Sequence, residues 1–90
     1  MLKRGAVFKN GVAASALIDT GEGRLRGIFV NNAAAVPTIK LWDSLTAVAP
    51  VLVNTFTPAS STYYYFGDVK YTTGLYITIS GTVDCTIFYL

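Results

Sequence analysis

Histidine is missing from this 90-residue sequence, and cysteine occurs once, at Cys85. Histidine is the commonest general base and the commonest metal ligand, so its absence removes the simplest route to acid–base or metal chemistry. A single cysteine cannot form a disulfide within the chain or supply a pair of metal ligands. Because Cys85 falls on the apolar row of a predicted strand, we interpret it as a small core residue rather than a nucleophile. We therefore predict no cofactor.

Charged side chains are also scarce, at 13% of residues against roughly 25% in an ordinary soluble domain. Hydrophobic residues make up 52%. Either the surface is rich in Thr, Ser and Asn, or part of it is buried against copies of the chain or a larger partner; we favour burial. The net charge is only +2, with close basic pairs at Lys3-Arg4 and Arg24/Arg26. Since nucleic-acid binding usually needs a clustered basic stripe, we predict no nucleic-acid partner.

Long apolar runs are absent as well. None approaches the roughly 18–20 residues that span a membrane. The apolar stretch near the start is interrupted by Lys9, Asn10, Gly11 and Ser15, so we reject it as a targeting segment. We predict one domain over residues 1–90 and no membrane partner. Residues 1–12 are predicted to be an extended N-terminal arm or an edge strand.

The strongest pattern in the chain is the alternation of apolar and polar residues over Gly74–Leu90, on both sides of Ser80-Gly81-Thr82. An apolar–polar alternation with a period of two residues, rich in β-branched and aromatic side chains on both sides of a glycine, is typical of a hairpin. A three-residue loop sets Ile79 opposite Val83 and keeps both apolar rows on one face. The predicted core row is Leu75, Ile77, Ile79, Val83, Cys85 and Ile87. The outer row, Tyr76, Phe88 and Leu90, is too apolar for a free surface and is predicted to meet a second chain or the folded-back N-terminus.

The rest of the chain contains further short strands separated by turns. Asn10-Gly11 is typical of a tight hairpin turn, Gly27 inside a strand predicts a bulge or a close backbone contact, and residues 31–36 read as a loop. Ile39 and Leu41 are predicted to be core, which points Trp42 outward. About eight short strands at 8–12-residue spacing and no helix predict an all-β fold. We expect a single antiparallel β-sandwich of the jelly-roll or Greek-key type.

Catalytic patterns are missing. The five acids, Asp19, Glu22, Asp43, Asp68 and Asp84, lie one per turn or strand edge, where capping roles suit them. A calcium site at Asp43 or Asp68 is the less favoured alternative, and we predict no metal. No serine lies in a Gly-x-Ser-x-Gly motif. We predict that the protein is not an enzyme.

Four segments in this order resemble small β-sandwich structural proteins of tailed-bacteriophage virions: Gly23–Val30, Ile39–Asp43, Tyr63–Val69 and Gly74–Tyr89. In that family a strand ending in a Trp/Tyr-Asp pair precedes a hairpin of the form Gly-Leu-Tyr-x-x-Ile and Gly-Thr-x-Asp-x-Thr-x-x-Tyr. The resemblance covers residues 20–90. Its motifs are structural, so it carries no catalytic residue to this chain.

The resemblance implies a capsid decoration (cement) protein that is made in the host cytoplasm and assembles on the phage head. The implied partners are the major capsid protein or other virion proteins, together with further copies of the chain as a homo-oligomer. A carbohydrate- or receptor-binding module of a head or tail fibre is the alternative, using the rings of Trp42 and Tyr63–Tyr65. The predicted interface residues are Trp42, Tyr64, Tyr76, Phe88, Leu90, Lys3 and Arg4.

Overall fold

Period-two alternation runs through most of the chain, and it produces strands. The computed structural model describes residues 7–90, without the side chain of Val7. This part contains no helix and six β-strands: β1 (Val7–Val12), β2 (Ala16–Thr20), β3 (Gly23–Trp42), β4 (Val51–Phe56), β5 (Thr62–Tyr71) and β6 (Gly74–Tyr89). All pair antiparallel in one sheet. The all-β prediction is confirmed.

Two long strands, β3 and β6, organise this sheet. They run side by side from Leu25 opposite Tyr89 to Trp42 opposite Tyr76. On the far side of β6 lie β1 and β2, while β4 and β5 pair with β3. The first half-sheet comprises β1, β5, residues 23–30 of β3 and residues 83–89 of β6. The second half-sheet comprises β2, β4, residues 38–42 of β3 and residues 74–80 of β6.

A corner joins the two half-sheets. A straight strand of about 3.3 Å per residue would make the 20 residues of β3 about 66 Å long, whereas the longest dimension of the molecule is 42 Å. The strand therefore bends, and its irregular stretch lies between Ala34 and Thr38. There Ala35 and Val36 have positive φ angles. The loop predicted over residues 31–36 is thus wrong for most of its length, because residues 32–34 pair with β6 and β3 continues through the segment.

The hairpin predicted at Ser80-Gly81-Thr82 is also wrong. Ser80 pairs with Thr38 and Thr82 pairs with Ala34, so β6 passes through this segment without reversing. The physical reason is that β3 supplies hydrogen-bond partners on both sides of Gly81. The core row itself is confirmed: Ile79 is partly buried, and its other members, Leu75, Ile77, Val83, Cys85 and Ile87, are at most 2% exposed.

The strand count differs from the sequence prediction for the same reason. The structure has six strands where the sequence predicts about eight, because one predicted turn lies inside β3 and another inside β6. A third, Asn10-Gly11, lies inside β1, where a register shift between Lys9 and Val12 accompanies a φ of 66° at Gly11. Val7–Val12 is a strand along β6, whereas residues 1–6 of the predicted arm or edge strand lie outside the described residues.

The buried side chains form one cluster drawn from both half-sheets. Ile28 and Ile87 belong to the first, and Ile39, Leu41 and Ile77 to the second; all five are fully buried. The side of the sheet that carries these residues is its core side, and the opposite side is its outer side. Side chains that alternate with the core rows are consequently presented outward.

Candidate functional site

Three acidic side chains of the described residues are engaged by partners within the fold. Asp19 accepts a hydrogen bond from the Tyr71 hydroxyl at 2.5 Å, and Asp68 accepts two from Arg26 at 2.8 and 3.0 Å. Asp43 accepts hydrogen bonds from backbone N–H groups of residues 72–74. Within residues 7–90 no group of three or more His, Cys, Asp or Glu could hold a metal ion. These carboxylates stabilise turns and a bulge.

Asp43 is the most strongly held of them. Its side chain is buried, and burial alone would raise the pKa of its carboxyl group. The N–H groups of Thr73, Thr72 and Gly74, with the Thr72 hydroxyl, outweigh burial and lower the pKa below its ordinary value. Ionised Asp43 therefore ties the end of β3 to the turn between β5 and β6.

Cys85 is buried within the core cluster. Burial, with a contribution from Asp84, raises the pKa of its thiol to about 11. The thiol is therefore protonated at neutral pH and is a poor nucleophile. The prediction that Cys85 is a core residue is confirmed.

The outer side of the first half-sheet is an exposed aromatic surface, which we call the Phe88 face. Its members are Phe8, Phe29, Tyr63, Tyr65 and Phe88. Strand pairing sets Phe8 opposite Phe88 and Phe29 opposite Tyr63. Phe8, Tyr63 and Tyr65 are 63%, 44% and 65% exposed. The Phe88 ring centre lies 6.4 Å from that of Phe8 and 6.0 Å from that of Tyr63, the latter edge-on at 70°.

Gly27 makes room for this surface. A Cβ atom at Gly27 would lie 2.6 Å from both the Tyr63 ring carbon Cζ and the Tyr64 carbonyl oxygen. Only glycine lets the Tyr63 ring rest against the sheet there. The register also shifts between Leu25 and Gly27, which confirms both the bulge and the close contact predicted for Gly27.

A basic margin, made of Arg24, Arg26 and Lys70, borders the Phe88 face. Arg24 and Lys70 are exposed and stand directly opposite each other on β3 and β5. Arg26 instead binds Asp68 in the single ion pair formed within residues 7–90. Its hydrogen bond holds the pKa of Asp68 below the ordinary value. Lys70 is more than forty positions from the two arginines in the sequence, and only the strand register brings it beside them.

The outer side of the second half-sheet carries a smaller apolar row, the Trp42 face. Its members, in the order of the strands β2, β6, β3 and β4, are Leu17, Tyr76, Trp42 and Val51, each opposite the next. The Trp42 indole donates a hydrogen bond to the Thr78 hydroxyl at 3.3 Å. The Lys40 ammonium lies 4.4 Å from the centre of the Trp42 ring. These contacts hold the indole against its own sheet, and the prediction that Trp42 points outward is confirmed.

The predicted interface residues separate onto different surfaces. Trp42 and Tyr76 are direct neighbours on the Trp42 face. Phe88 lies on the other outer face, and Leu90 is paired through its backbone with Arg24 at the margin of that face. Tyr64 is opposite the buried Ile28 and packs against the core. Lys3 and Arg4 lie outside the described residues.

Phe8 and Phe29 were not predicted as site residues, and Tyr63 and Tyr65 were predicted only as rings of the carbohydrate-binding alternative. The alternation within Tyr63-Tyr64-Tyr65-Phe66 carries a usable signal, because the odd-numbered rings share one face and the even-numbered rings the other. In the structure Tyr64 and Phe66 pack against the core. The sequence could not say which pair faces outward, since both pairs are aromatic.

A groove of about 300 Å³ lies beside β1 and β2, lined mainly by small apolar residues between positions 11 and 18 together with Lys9. Its lining contains no acidic side chain.

Within residues 7–90 there is no helix long and apolar enough to cross a membrane. Comparison of the chain with family models, curated proteins and solved structures finds no match.

Proposed function

We propose that this chain is a non-enzymatic structural protein of a bacteriophage virion, most specifically a capsid decoration (cement) protein that assembles on the head and stabilises it. The observation that carries the proposal is the Phe88 face, where Phe8, Tyr63 and Tyr65 leave large parts of their rings in solvent on a sheet whose opposite side is core. Contiguous exposed aromatic surface of this kind marks interaction sites. The virion context comes from the sequence resemblance.

The proposed architecture is a jelly-roll-like β-sandwich, in which the two half-sheets face each other across the core. One cluster takes buried side chains from both of them. The shortest dimension of the molecule is 19 Å, which suits two layers packed about 10 Å apart. Such a sandwich displays the Phe88 face and the Trp42 face on opposite sides.

Irregular edges favour assembly through these faces rather than through added strands. Each of β1, β2, β4 and β5 pairs with a single neighbour among the described residues, and each carries a register shift. Bulges twist an edge and interrupt its row of free backbone groups, which hinders pairing with another chain. The docking surface therefore consists of side chains.

The proposed partners are the major capsid protein or other virion proteins, with the chain itself forming a homo-oligomer. Attachment at repeated positions makes binding multivalent, so each contact can be modest. The aromatic faces supply contact area at low conformational cost because the rings have few rotatable bonds. The proposed location of the protein is the virion, which it joins after synthesis in the host cytoplasm.

A carbohydrate-binding module is the second candidate. The exposed rings and hydroxyl groups of Tyr63 and Tyr65 favour it, since sugars stack on aromatic faces and hydrogen-bond to neighbouring polar groups. Asn10 and Thr86, hydrogen-bonded to each other at 2.8 Å, border the same surface. Trp42 and Tyr64 cannot share one sugar site, because Trp42 lies on the outer side of the sheet and Tyr64 packs against the core.

Gold-labelled antibody against the protein, applied to purified phage particles, tests the proposal. We expect regular labelling of heads, and a mass in solution larger than one chain. Tyr65→Ser should reduce head binding while leaving the folded state intact, because its side chain is mostly in solvent. Thr73→Ser, a change at an exposed residue outside both faces, is the control. Unlabelled particles together with a stable monomer would refute the proposal, and binding in a glycan array that Tyr65→Ser abolishes would favour the second candidate.

A further inference from the structure

We infer that the Phe88 face and its basic margin dock onto an acidic protein surface that belongs to a different polypeptide. The inference rests on the proposed function, and it adds the face used and the chemistry of the partner.

The unpaired cations point to an acidic partner. Arg24 and Lys70 stand directly opposite each other on neighbouring strands, a placement of like charges that opposes folding. Neither forms an ion pair within residues 7–90. The nearby carboxylate, Asp68, already holds Arg26 through two hydrogen bonds, and it attracts Arg24 without forming an ion pair with it. Two exposed positive charges beside an apolar surface are therefore left for carboxylates supplied from outside.

The residue types of this surface suit a protein interface. Phenylalanine, tyrosine and arginine are enriched where proteins bind one another, typically with an apolar centre inside a polar rim. Here the aromatic rings form the centre, and Arg24 with Lys70 stands at one margin. Because Arg26 is already satisfied by Asp68, its burial under a partner would not leave an unpaired charge.

A second copy of the chain fits this margin poorly. Three of its five acids are engaged within the fold: Asp19 by Tyr71, Asp43 by the turn at residues 72–74, and Asp68 by Arg26. That leaves Glu22 and Asp84, which are exposed. A heterologous surface with several carboxylates therefore complements the margin better than this chain does.

Single-stranded nucleic acid is also disfavoured. Stacking of successive bases needs several open ring faces, whereas Tyr63 and Phe88 are in an edge contact and Phe88 is tilted against Phe8, which leaves Tyr65 as the most exposed ring. The carboxylate of Asp68 lies within the margin that a phosphate would approach. The net charge of only +2 also gives little long-range attraction for a polyanion.

Carbodiimide cross-linking of intact particles tests the inference directly. The reagent joins a lysine amine to a carboxylate in contact with it, forming an amide bond with net loss of water. We expect peptide mass spectrometry to find Lys70 joined to an aspartate or glutamate of another virion polypeptide, with no such link at Lys9. Lys70 joined to a second copy of the chain, or no link at Lys70, overturns the inference. If the protein itself is absent from the particles, the proposed function is refuted, and this inference fails with it; a missing Lys70 link in particles that contain the protein refutes only this inference.

The variant Lys70→Glu separates docking from folding. Its carboxylate would face Arg24, so we expect an unchanged or higher melting temperature and at least about tenfold weaker binding to particles stripped of the protein. Lys9→Glu makes the same charge change opposite the buried Ile87 and should bind normally. Equal binding by both variants contradicts the inference. So does salt-sensitive binding of a labelled oligothymidylate that only Lys70→Glu abolishes, because it would assign the face to nucleic acid.

Discussion

Asp43 shows how one side chain can fix the end of a small sheet. Its buried carboxylate accepts backbone hydrogen bonds from Thr72 at 3.0 Å and Thr73 at 2.8 Å. These N–H groups belong to the turn that joins β5 and β6. Buried N–H groups that lose their acceptor are costly, so this aspartate is expected to matter more for stability than the exposed acids.

The first prediction concerns stability in acid. The pKa of Asp43 is lower in the folded chain than in the unfolded chain, so its contribution is fully present above the unfolded value of about 3.9 and is lost as pH falls through the folded value. We expect the free energy of unfolding, measured by urea denaturation, to fall as pH drops below about 4. Asp43→Asn should be less stable at neutral pH by about 1–2 kcal/mol and should show a flatter acid dependence.

Asp84→Asn is the matched control, because Asp84 is exposed. It should keep the acid dependence of the parent protein. The hydrogen bond from Arg26 lowers the pKa of Asp68 as well, so a residual slope of the same sign is expected in Asp43→Asn. An unaltered slope in that variant would show that another group is responsible.

At the scale of the elements, the corner of β3 and β6 is the feature that distinguishes this fold from a set of hairpins. Gly81 crosses the corner with a φ of 79°. A Cβ atom there would lie 2.8 Å from the Pro37 Cα and 2.9 Å from the Ala35 carbonyl oxygen. Both contacts are with backbone, which cannot move aside as a flexible side chain can. The corner therefore requires glycine for space as well as for its φ angle.

The second prediction uses this requirement. Asparagine tolerates a positive φ, so Gly81→Asn would be mild if Gly81 stood in an open hairpin turn. At the corner, where its Cβ atom would meet backbone atoms, Gly81→Asn should lower the free energy of unfolding by about 2 kcal/mol. Gly67→Asn is the control, because Gly67 has a φ of 77° and nothing within 4 Å of an added Cβ. It should cost under about 1 kcal/mol. Equal urea midpoints for the two variants would contradict the continuous strand.

At the scale of the whole molecule, the shared strands and the single core cluster make the two half-sheets interdependent. Neither half-sheet can lose β3 or β6 without removing the central strands of the other. We therefore expect one cooperative unfolding transition, as small single domains usually show.

The third prediction tests this interdependence. Ile28 is fully buried in the first half-sheet, and Trp42, the single tryptophan, lies in the second. Ile28→Ala should lower stability by about 2–4 kcal/mol and should shift the urea transition seen by Trp42 fluorescence as much as the one seen by circular dichroism. Tyr65→Ser, on the same half-sheet but exposed, should leave the midpoint nearly unchanged. Two separate transitions would mean that the half-sheets unfold independently.

Much of the fold follows from alternation alone. The core row of β6, the outward position of Trp42 and the bulge at Gly27 were all predictable, because a strand sends successive side chains to opposite sides and glycine admits close backbone contacts. The candidate site was harder to predict from the sequence. Phe88 and Leu90 follow from the pattern, whereas Phe8 joins them only through pairing between β1 and β6.

By itself, then, the sequence determined which side chains share one face of a strand, and in β6 it also determined which of them face the core. It did not determine where the chain reverses. Ile79 and Val83 are four positions apart, an even number, so their alternation is the same whether Ser80-Gly81-Thr82 is a three-residue turn or a continuous strand. The tertiary structure decided in favour of the strand because β3 pairs with both of its arms. The pairing of β3 with β5, likewise long-range, set Arg24 beside Lys70, since register between distant strands depends on the whole sheet rather than on any local pattern.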